Sequence, residues 1–357
     1  MKPQLAPLHQ QVMVITGASS GIGLATARMA ARRGARLVVA ARTEEALKQL
    51  VAELQSHGTE AIFVVADVGN EDDVRRIAEE AINRFGRIDT WVNDAGVSIY
   101  GKIETISTED NRRLFDTNFW GVVHGSKQAV KHLGVNGGAL INVGSVVSDV
   151  SLPIQGMYAA SKHAVKGFTD ALRMEVEQEG LPVSVTLIKP GSINTPFTRH
   201  AKNYLNESPD LPPPVYAPEV VARAIVHAAE NPVRDVYVGG GGKMLATMGR
   251  FMPRMTDRYM SATMEQQQKS GHPRGYQHRE ALHRGNAELS ETGDAEGHVM
   301  GSSAYTSAVL HPLLTAAAVV AGVGIAAGLL ARSRPTPTQR VMRAPRATAR
   351  RLQRLFD

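Results

Sequence analysis

The sequence predicts an α/β protein built on a doubly wound parallel sheet, and three observations predict it. Between residues 12 and 242, short apolar runs alternate with longer amphipathic stretches. The runs are apolar throughout, as strands buried on both faces are. A glycine-rich turn joins the first run to the first helical stretch, a junction typical of βαβ units.

The elements follow in order. Residues 12–16 read as the first strand and 24–33 as the helix after it. Residues 37–41 are a second strand, followed by a helix at 44–58 with Leu47, Leu50, Val51 and Leu54 on one face. Residues 61–66 are a third strand. The helix at 71–85 carries a stripe of Val74, Ile77, Ala78, Ala81 and Phe85. Further strands are expected at 88–93, 139–143, 183–188 and 236–238.

Composition shifts after Gly242. Residues 243–265 place Met244, Met248, Phe251, Met252, Met255 and Tyr259 at helical spacing, with an interruption near Pro253. Such a stretch suits a helix packed on the body, or an adaptable surface at a hydrophobic mouth or membrane face. Residues 266–308 are polar and aperiodic and read as a linker. Residues 309–331 form an apolar segment; 313–331 hold no charged residue and approach the length of a transmembrane helix. Membrane contact is therefore expected there, across the bilayer or within it, with packing on protein as the alternative.

Charge is unevenly spread. The 357-residue chain has a net charge of +6, yet residues 332–357 alone hold eight arginines and one acid. The body is close to neutral, so nothing in it points to nucleic acid. The arginine tail beside an apolar segment favours acidic lipid instead. The absence of cysteine excludes disulfides, thiolate metal sites and cysteine nucleophiles. No histidine and carboxylate set has convincing metal-ligand spacing. The start, MKPQLAPLHQ, does not read as a secretory leader.

Three motifs carry chemistry. The first strand runs into Thr16-Gly17-Ala18-Ser19-Ser20-Gly21-Ile22-Gly23. Gly17 allows a tight turn, Gly21 lets a pyrophosphate approach the backbone, and Gly23 lets helix and strand pack closely. The second strand ends in Arg42, where an acid would have favoured an unphosphorylated ribose. Arg42 can pair with a 2′-phosphate, or can simply open the next helix in solvent. Asp67 and Val68, after the third strand, fall beside an adenine. Tyr158 and Lys162 stand four apart on a helix and share a face. An ammonium there lowers a phenol's pKa toward a useful range. Ser145, at the end of a strand, can orient a carbonyl oxygen.

Taken together, these residues resemble the short-chain dehydrogenase/reductase family over about residues 10–242. Asn93-Asp94-Ala95-Gly96 stands where that family has a sheet-stabilising Asn-Asn-Ala-Gly. Asn118, Ser145, Tyr158 and Lys162 match its catalytic tetrad. Pro190 and Gly191 follow the sixth strand, and Ile193 and Thr195 match positions that bind the nicotinamide carboxamide. The resemblance implies a Rossmann fold over residues 1–242 and cofactor contacts from Thr16, Gly17, Ser19, Ser20, Gly21, Ile22, Gly23, Arg42, Asp67, Val68, Asn93, Ala95, Gly96, Tyr158, Lys162, Pro190, Gly191, Ile193 and Thr195. It implies hydride transfer between NADP(H), with NAD(H) as the alternative, and a carbonyl or alcohol carbon. Tyr158 would move the proton, Ser145 would polarise the carbonyl, Lys162 would hold the ribose and depress the Tyr158 pKa, and Asn118 would hold a water. A weakly active cofactor-binding scaffold at a membrane is the alternative.

The expected substrate is a small apolar ketone or secondary alcohol. Val146, Val147, Leu152, Pro153, Ile154 and Met157 would line its site, with Phe197, Tyr204, Leu205 and Leu211 as a lid. Family members assemble as dimers or tetramers, here through helices at 108–133 and 157–178. A cytoplasmic catalytic domain, associated with a membrane, is the expected location.

Overall fold

A computed structural model of the chain describes residues 3–275, 279–317, 320 and 326. The first half comprises β1 (Val12–Thr16), α1 (Gly21–Arg32), β2 (Arg36–Ala41), α2 (Glu44–Ser56), β3 (Ala61–Val65), α3 (Glu71–Phe85) and β4 (Thr90–Asn93). Helix α4 (Thr108–Phe115) passes through a π-helical turn, Asp116–Trp120, into α5 (Gly121–Asn136). Then come β5 (Gly138–Val143), α6 (Gly156–Gln178), β6 (Val183–Pro190), α7 (Pro218–Glu230) and β7 (Asp235–Val238).

The seven strands pair in the order β7-β6-β5-β4-β1-β2-β3, all parallel. The fold is the doubly wound Rossmann-type sheet that the apolar runs predict. Helices α1, α2 and α7 cover one face; α3, α5 and α6 cover the other. Every residue of β1, β5 and β6 is buried, which is why their sequences do not alternate. The chain reverses direction of travel between β1 and β4, and this switch point opens a crevice at the carboxyl ends of the strands.

Local signals explain the element ends. The Asn70 side chain accepts N–H bonds from Asp72 and Asp73 at the start of α3, and Gly86 ends it with φ 75°. The first helix begins at Gly21, three residues before the sequence-based start, because the glycine turn itself supplies its first turn. The proline run from 209 to 218 ends at Pro218, which takes a first-turn position of α7 and needs no hydrogen-bond partner for its nitrogen. Sequence reading gave no helix there. Nine of its thirteen residues are buried, so it lacks a polar face to show a period.

The stretch expected to be one interrupted helix is two: α8 (Gly240–Phe251) and α9 (Pro253–Gln267), broken at Met252. Their inward face carries Ala246, Thr256, Met260 and Met264, while Met244, Phe251, Met252, Met255 and Tyr259 are exposed. The expected linker, 266–308, is no free linker. Lys269–Pro273 pairs antiparallel with Glu207–Pro209, and Val299–Met300 pairs parallel with Val215–Tyr216. Ala281, Leu282, Ser303 and Thr306 are buried. The segment lacks a hydrophobic period because it is anchored mainly by hydrogen bonds and ion pairs to the body.

The described residues up to Leu310 form one compact unit. Among the described residues no helix is long and apolar enough to cross a membrane, which overturns the expected transmembrane helix. Most of the apolar stretch 313–331, with the arginine tail 332–357, lies outside the described residues.

Candidate active site

A cavity of about 410 Å³ runs along the carboxyl ends of the strands. Its wall collects most of the residues that the sequence singles out. Arg42, Asp67 and Val68 stand at one end, and Gly17, Ser19, Ser20, Gly21 and Ile22 line its middle. Ala95, Gly96, Ser145, Tyr158, Lys162, Pro190, Gly191, Ile193 and Thr195 complete it.

The glycines are required by close approach. Gly17 has φ 74°, and a Cβ there would lie 2.7 Å from the Ala95 Cα. A Cβ on Gly23 would lie 2.4 Å from the Gly17 carbonyl oxygen and 2.8 Å from Asp94 Oδ2. Helix α1 has no acid in its first turn and no side-chain cap, so its amino end can face an anion. The elongated cavity and this turn fit a dinucleotide.

Four expected contacts lie off the cavity wall. Thr16 Oγ donates to the Val92 carbonyl at 3.3 Å and accepts from the Asp94 and Ala95 amides at 3.3 and 3.4 Å, tying β1 to the turn after β4. Gly23 is a packing position. Asn93 is 3% exposed: its Oδ1 accepts from Trp91 Nε1 at 2.8 Å and its Nδ2 donates to Asn142 Oδ1 at 2.9 Å. It clamps β4 to β5 beneath the crevice and does not face a cofactor. Asn118 sits in the π-turn, a distortion common at functional sites. Its Oδ1 accepts from the Val97 amide at 2.8 Å, and its Nδ2 donates to the Val97 carbonyl at 2.9 Å and Ser161 Oγ at 3.2 Å. That amide is committed to protein partners, so any water is held by another atom of the turn.

Tyr158 and Lys162 share one face of α6. Tyr158 is buried, with Ser145 near enough to ease its ionisation. The Ser145 hydroxyl also meets the Pro190 carbonyl at 3.4 Å and accepts from the Val147 amide at 3.2 Å, which fixes its direction. Lys162 Nζ donates to the Val143 carbonyl at 2.9 Å and lies 5.9 Å from the Tyr158 ring centre. Here the expected electrostatics need correction. Burial holds the Tyr158 phenol above its ordinary value; Ser145 pulls it down and the Asp94 charge pushes it up. Burial also pulls Lys162 down to about 8, with Asp94 opposing. Asp94 itself is pushed up to about 7 by desolvation, against the pull of Lys162 and the Gly23 N–H. The one departure from the family motif is thus the carboxylate that tunes both neighbours.

The apolar end of the cavity is formed by Tyr100, Val146, Val147, Val150, Leu152, Phe197 and Leu211, with Met244, Leu245, Tyr259 and Met264 from α8 and α9. Pro153, Ile154, Met157, Tyr204 and Leu205, expected in this wall or its lid, do not line it. Ile154 takes φ 58° and packs with Tyr100, Ala201 and Leu205 behind the wall. Tyr204 turns away to donate to Asp110 Oδ2 at 2.5 Å.

Sequence reading missed three contributors. Arg113 of α4 donates to Asp67 Oδ2 at 2.5 Å and stands beside Arg42. His200 lines the cavity and is drawn down to about 4, chiefly by burial. Ala281, Gly285 and Asn286 line its outer side. None belongs to a local motif; only the α4 helical face could have marked Arg113. Among the described residues no group of three or more His, Asp or Glu could hold a metal ion.

Residues 11–205 match the family model for short chain dehydrogenases. The chain belongs to the short-chain dehydrogenase family. It is 50% identical over 325 residues to the uncharacterized oxidoreductase YxnA of Bacillus subtilis, covering 90% of this chain and 91% of that one. It is 32% identical over 279 residues to dehydrogenase/reductase SDR family member 7B of Bos taurus, covering 75% and 85%. Among solved structures, a short-chain dehydrogenase/reductase from Burkholderia phymatum in complex with NAD aligns with a TM-score of 0.64 and 27% identity, covering 70% of this chain and 96% of that one. An alcohol dehydrogenase from Thermococcus sibiricus complexed with 5-hydroxy-NADP aligns with a TM-score of 0.57 and 28% identity, covering 64% and 95%. This short-chain dehydrogenase is accordingly an oxidoreductase that works with a nicotinamide cofactor on a CH–OH or C=O group.

Proposed function

We propose that the protein interconverts an apolar ketone and its secondary alcohol with NADP(H), using Tyr158 as the general acid and base. One observation carries this reading: Tyr158, Ser145 and Lys162 line the same cavity as Arg42, beside its apolar wall. Arg42 and Arg113 would receive the 2′-phosphate, the glycine turn the pyrophosphate, and Ile193 and Thr195 the carboxamide. When bound, the nicotinamide supplies the hydride.

The chain's own residues supply the rest. The Ser145 hydroxyl, positioned by the Val147 amide, turns its proton from the Pro190 carbonyl to the substrate oxygen and meets the negative charge that develops there. Tyr158 Oη gives its proton to that oxygen in reduction and takes it back in oxidation. Lys162 keeps a positive charge behind the phenol. Asn118 acts as a positioning residue, bracing Val97 and Ser161 around Tyr158. The apolar wall excludes water and favours a substrate without charges near the carbonyl.

We also infer a homo-oligomer joined through α4, α5 and α6. Trp120 at 48% exposure, in the π-turn between α4 and α5, and Met174 at 62%, on α6, support it, because both are large apolar side chains. A cytoplasmic setting suits a user of NADP(H).

The test is NADPH oxidation by the full-length protein against a panel of apolar and charged carbonyl compounds. Tyr158→Phe is expected to lower kcat by about a hundredfold or more while NADPH affinity changes little. Turnover restricted to small, highly charged carbonyls overturns the substrate class, and undiminished turnover by the variant overturns the role of Tyr158.

A further inference from the structure

The chain beyond the family match returns to the cofactor cleft. Residues 279–295 cross its outer side from the Arg42 end to the Thr195 loop. At the Arg42 end, the guanidinium donates to the carbonyls of Ala281 and Leu282, the latter at 3.0 Å. Arg113 Nε donates to the same Leu282 carbonyl at 3.1 Å. A Cβ on Gly285 would lie 2.3 Å from Thr43 Oγ and 3.2 Å from the Arg42 Cβ. Midway, the Gly21 amide, in the glycine turn itself, donates to the Ser290 carbonyl at 2.9 Å. At the far end, a Cβ on Gly293 would lie 2.3 Å from the Thr195 carbonyl oxygen, and the Ala295 amide donates to Asn194 Oδ1 at 3.2 Å.

We propose that residues 279–295 are a strap that forms the outer wall of the nucleotide site, closes over the bound cofactor and limits its exchange. The proposal rests on the cofactor reading above. Three features support it. The strap touches each part of the nucleotide half in turn: the phosphate-reading arginine, the glycine turn and the loop after β6. It is a wall and not a plug, because the cavity persists beneath it, lined by Ala281, Gly285 and Asn286. Its fastenings can be exchanged. The outer ones are ion pairs: Glu288 and Asp294 on Arg199 at 2.8 Å each, and Glu291 on Arg28 at 2.8 Å. The pair with Asp294 is exposed and opens readily; those with Glu288 and Glu291 are half-buried.

The contact with Arg42 has a chemical consequence. Two guanidiniums stand side by side with Asp67 as their neighbouring carboxylate. Carbonyl oxygens meet the hydrogen-bonding demand of that pair but do not neutralise its charge. A phosphate dianion does both, so a 2′-phosphorylated nucleotide would bind under the strap with its anion on Arg42 and Arg113. The strap would then fold down on the nucleotide, as lids do when they enclose a reactant.

Two measurements on the full-length protein decide it. The first is amide hydrogen exchange across 279–295 with and without NADPH. Slowing by about tenfold at saturation is expected, and unchanged exchange overturns the strap. The second is the NADPH dissociation rate, read by fluorescence after a chase with NADP⁺. Gly285→Val with Gly293→Val puts two side chains where the strap meets Thr43 and Thr195, and should speed dissociation about tenfold, the equivalent of one or two net hydrogen bonds. An unchanged rate in a folded double variant overturns the proposal. If that variant does not fold, the exchange measurement on the wild type decides alone. Wild-type protein that binds neither NADPH nor NADH overturns the cofactor reading and the strap together. Binding of NADH alone overturns the NADP(H) preference, and the same exchange experiment with NADH then judges the strap.

Discussion

Replacing Asp94 by Asn removes one charge from the active site without changing its shape. The Asp94 carboxylate raises two neighbours: it makes the Lys162 ammonium easier to keep protonated and the Tyr158 phenol harder to ionise. Removing it must therefore lower both. In the proposed mechanism the reductive reaction needs a protonated Tyr158 and a charged Lys162, so its rate should fall as pH rises through the lower of the two, about 8 for Lys162. Asp94 ionises at about 7, so it is largely charged on this alkaline limb and its loss is felt there. Two unit charges on the order of 6 Å apart at an effective dielectric of about 20 interact by roughly 3 kcal/mol, or about two pH units. Solvent in the cavity reduces this, so the limb should move down by between about one and two pH units. The assay is kcat/KM for NADPH-dependent reduction measured from about pH 6 to about pH 10, wild type beside Asp94→Asn. A limb that stays in place, or moves to higher pH, refutes the reasoning, because no removal of negative charge can strengthen a neighbouring acid's hold on its proton.

Other perturbations have equally definite outcomes. Arg42→Ala should weaken NADPH binding by about 10- to 100-fold, the cost of losing charge-assisted hydrogen bonds. It also unfastens the strap, which affects NADH equally, so the ratio of the two dissociation constants by fluorescence titration is the readout; an unchanged ratio refutes the 2′-phosphate role. Gly125→Val should lower Tm by about 5 °C in scanning calorimetry, since overpacking costs about 1–3 kcal/mol and breaking the buried Asn93 clamp adds to it. Its Cβ would lie 2.0 Å from Asn93 Oδ1 and 2.9 Å from Trp91 Nε1. An unchanged Tm would mean that α5 can withdraw from the sheet at no cost. Trp120→Glu should lower the molar mass seen by light scattering if α4, α5 and α6 join subunits, and an unchanged mass places the interface elsewhere.

The parallel sheet was legible because strands buried on both faces must be apolar at every position, and helices between them must carry one stripe. Both patterns are local properties of the chain. The glycine turn and the Tyr158/Lys162 pair were legible for the same reason: a turn needs neighbouring glycines, and one helical face brings residues four apart together. Asn93 was legible as part of a sheet-stabilising motif and Asn118 as a tetrad member, but the partners each takes were not. Whether an amide faces a cleft or clamps a sheet depends on what packs on it from elsewhere, here Trp91, Asn142 and Val97.

Sequence by itself determined the fold class, the order of its strands along the chain and the pairing of Tyr158 with Lys162 on one helical face. Tertiary structure alone decided the sign of the Tyr158 perturbation, because desolvation depends on the whole shell of neighbours and not on one lysine. It alone also brought Arg113 beside Arg42 and drew the polar stretch 279–295 across the cleft. That stretch has no hydrophobic period because hydrogen bonds and ion pairs hold it, and these need only a partner within reach, from any distance along the chain.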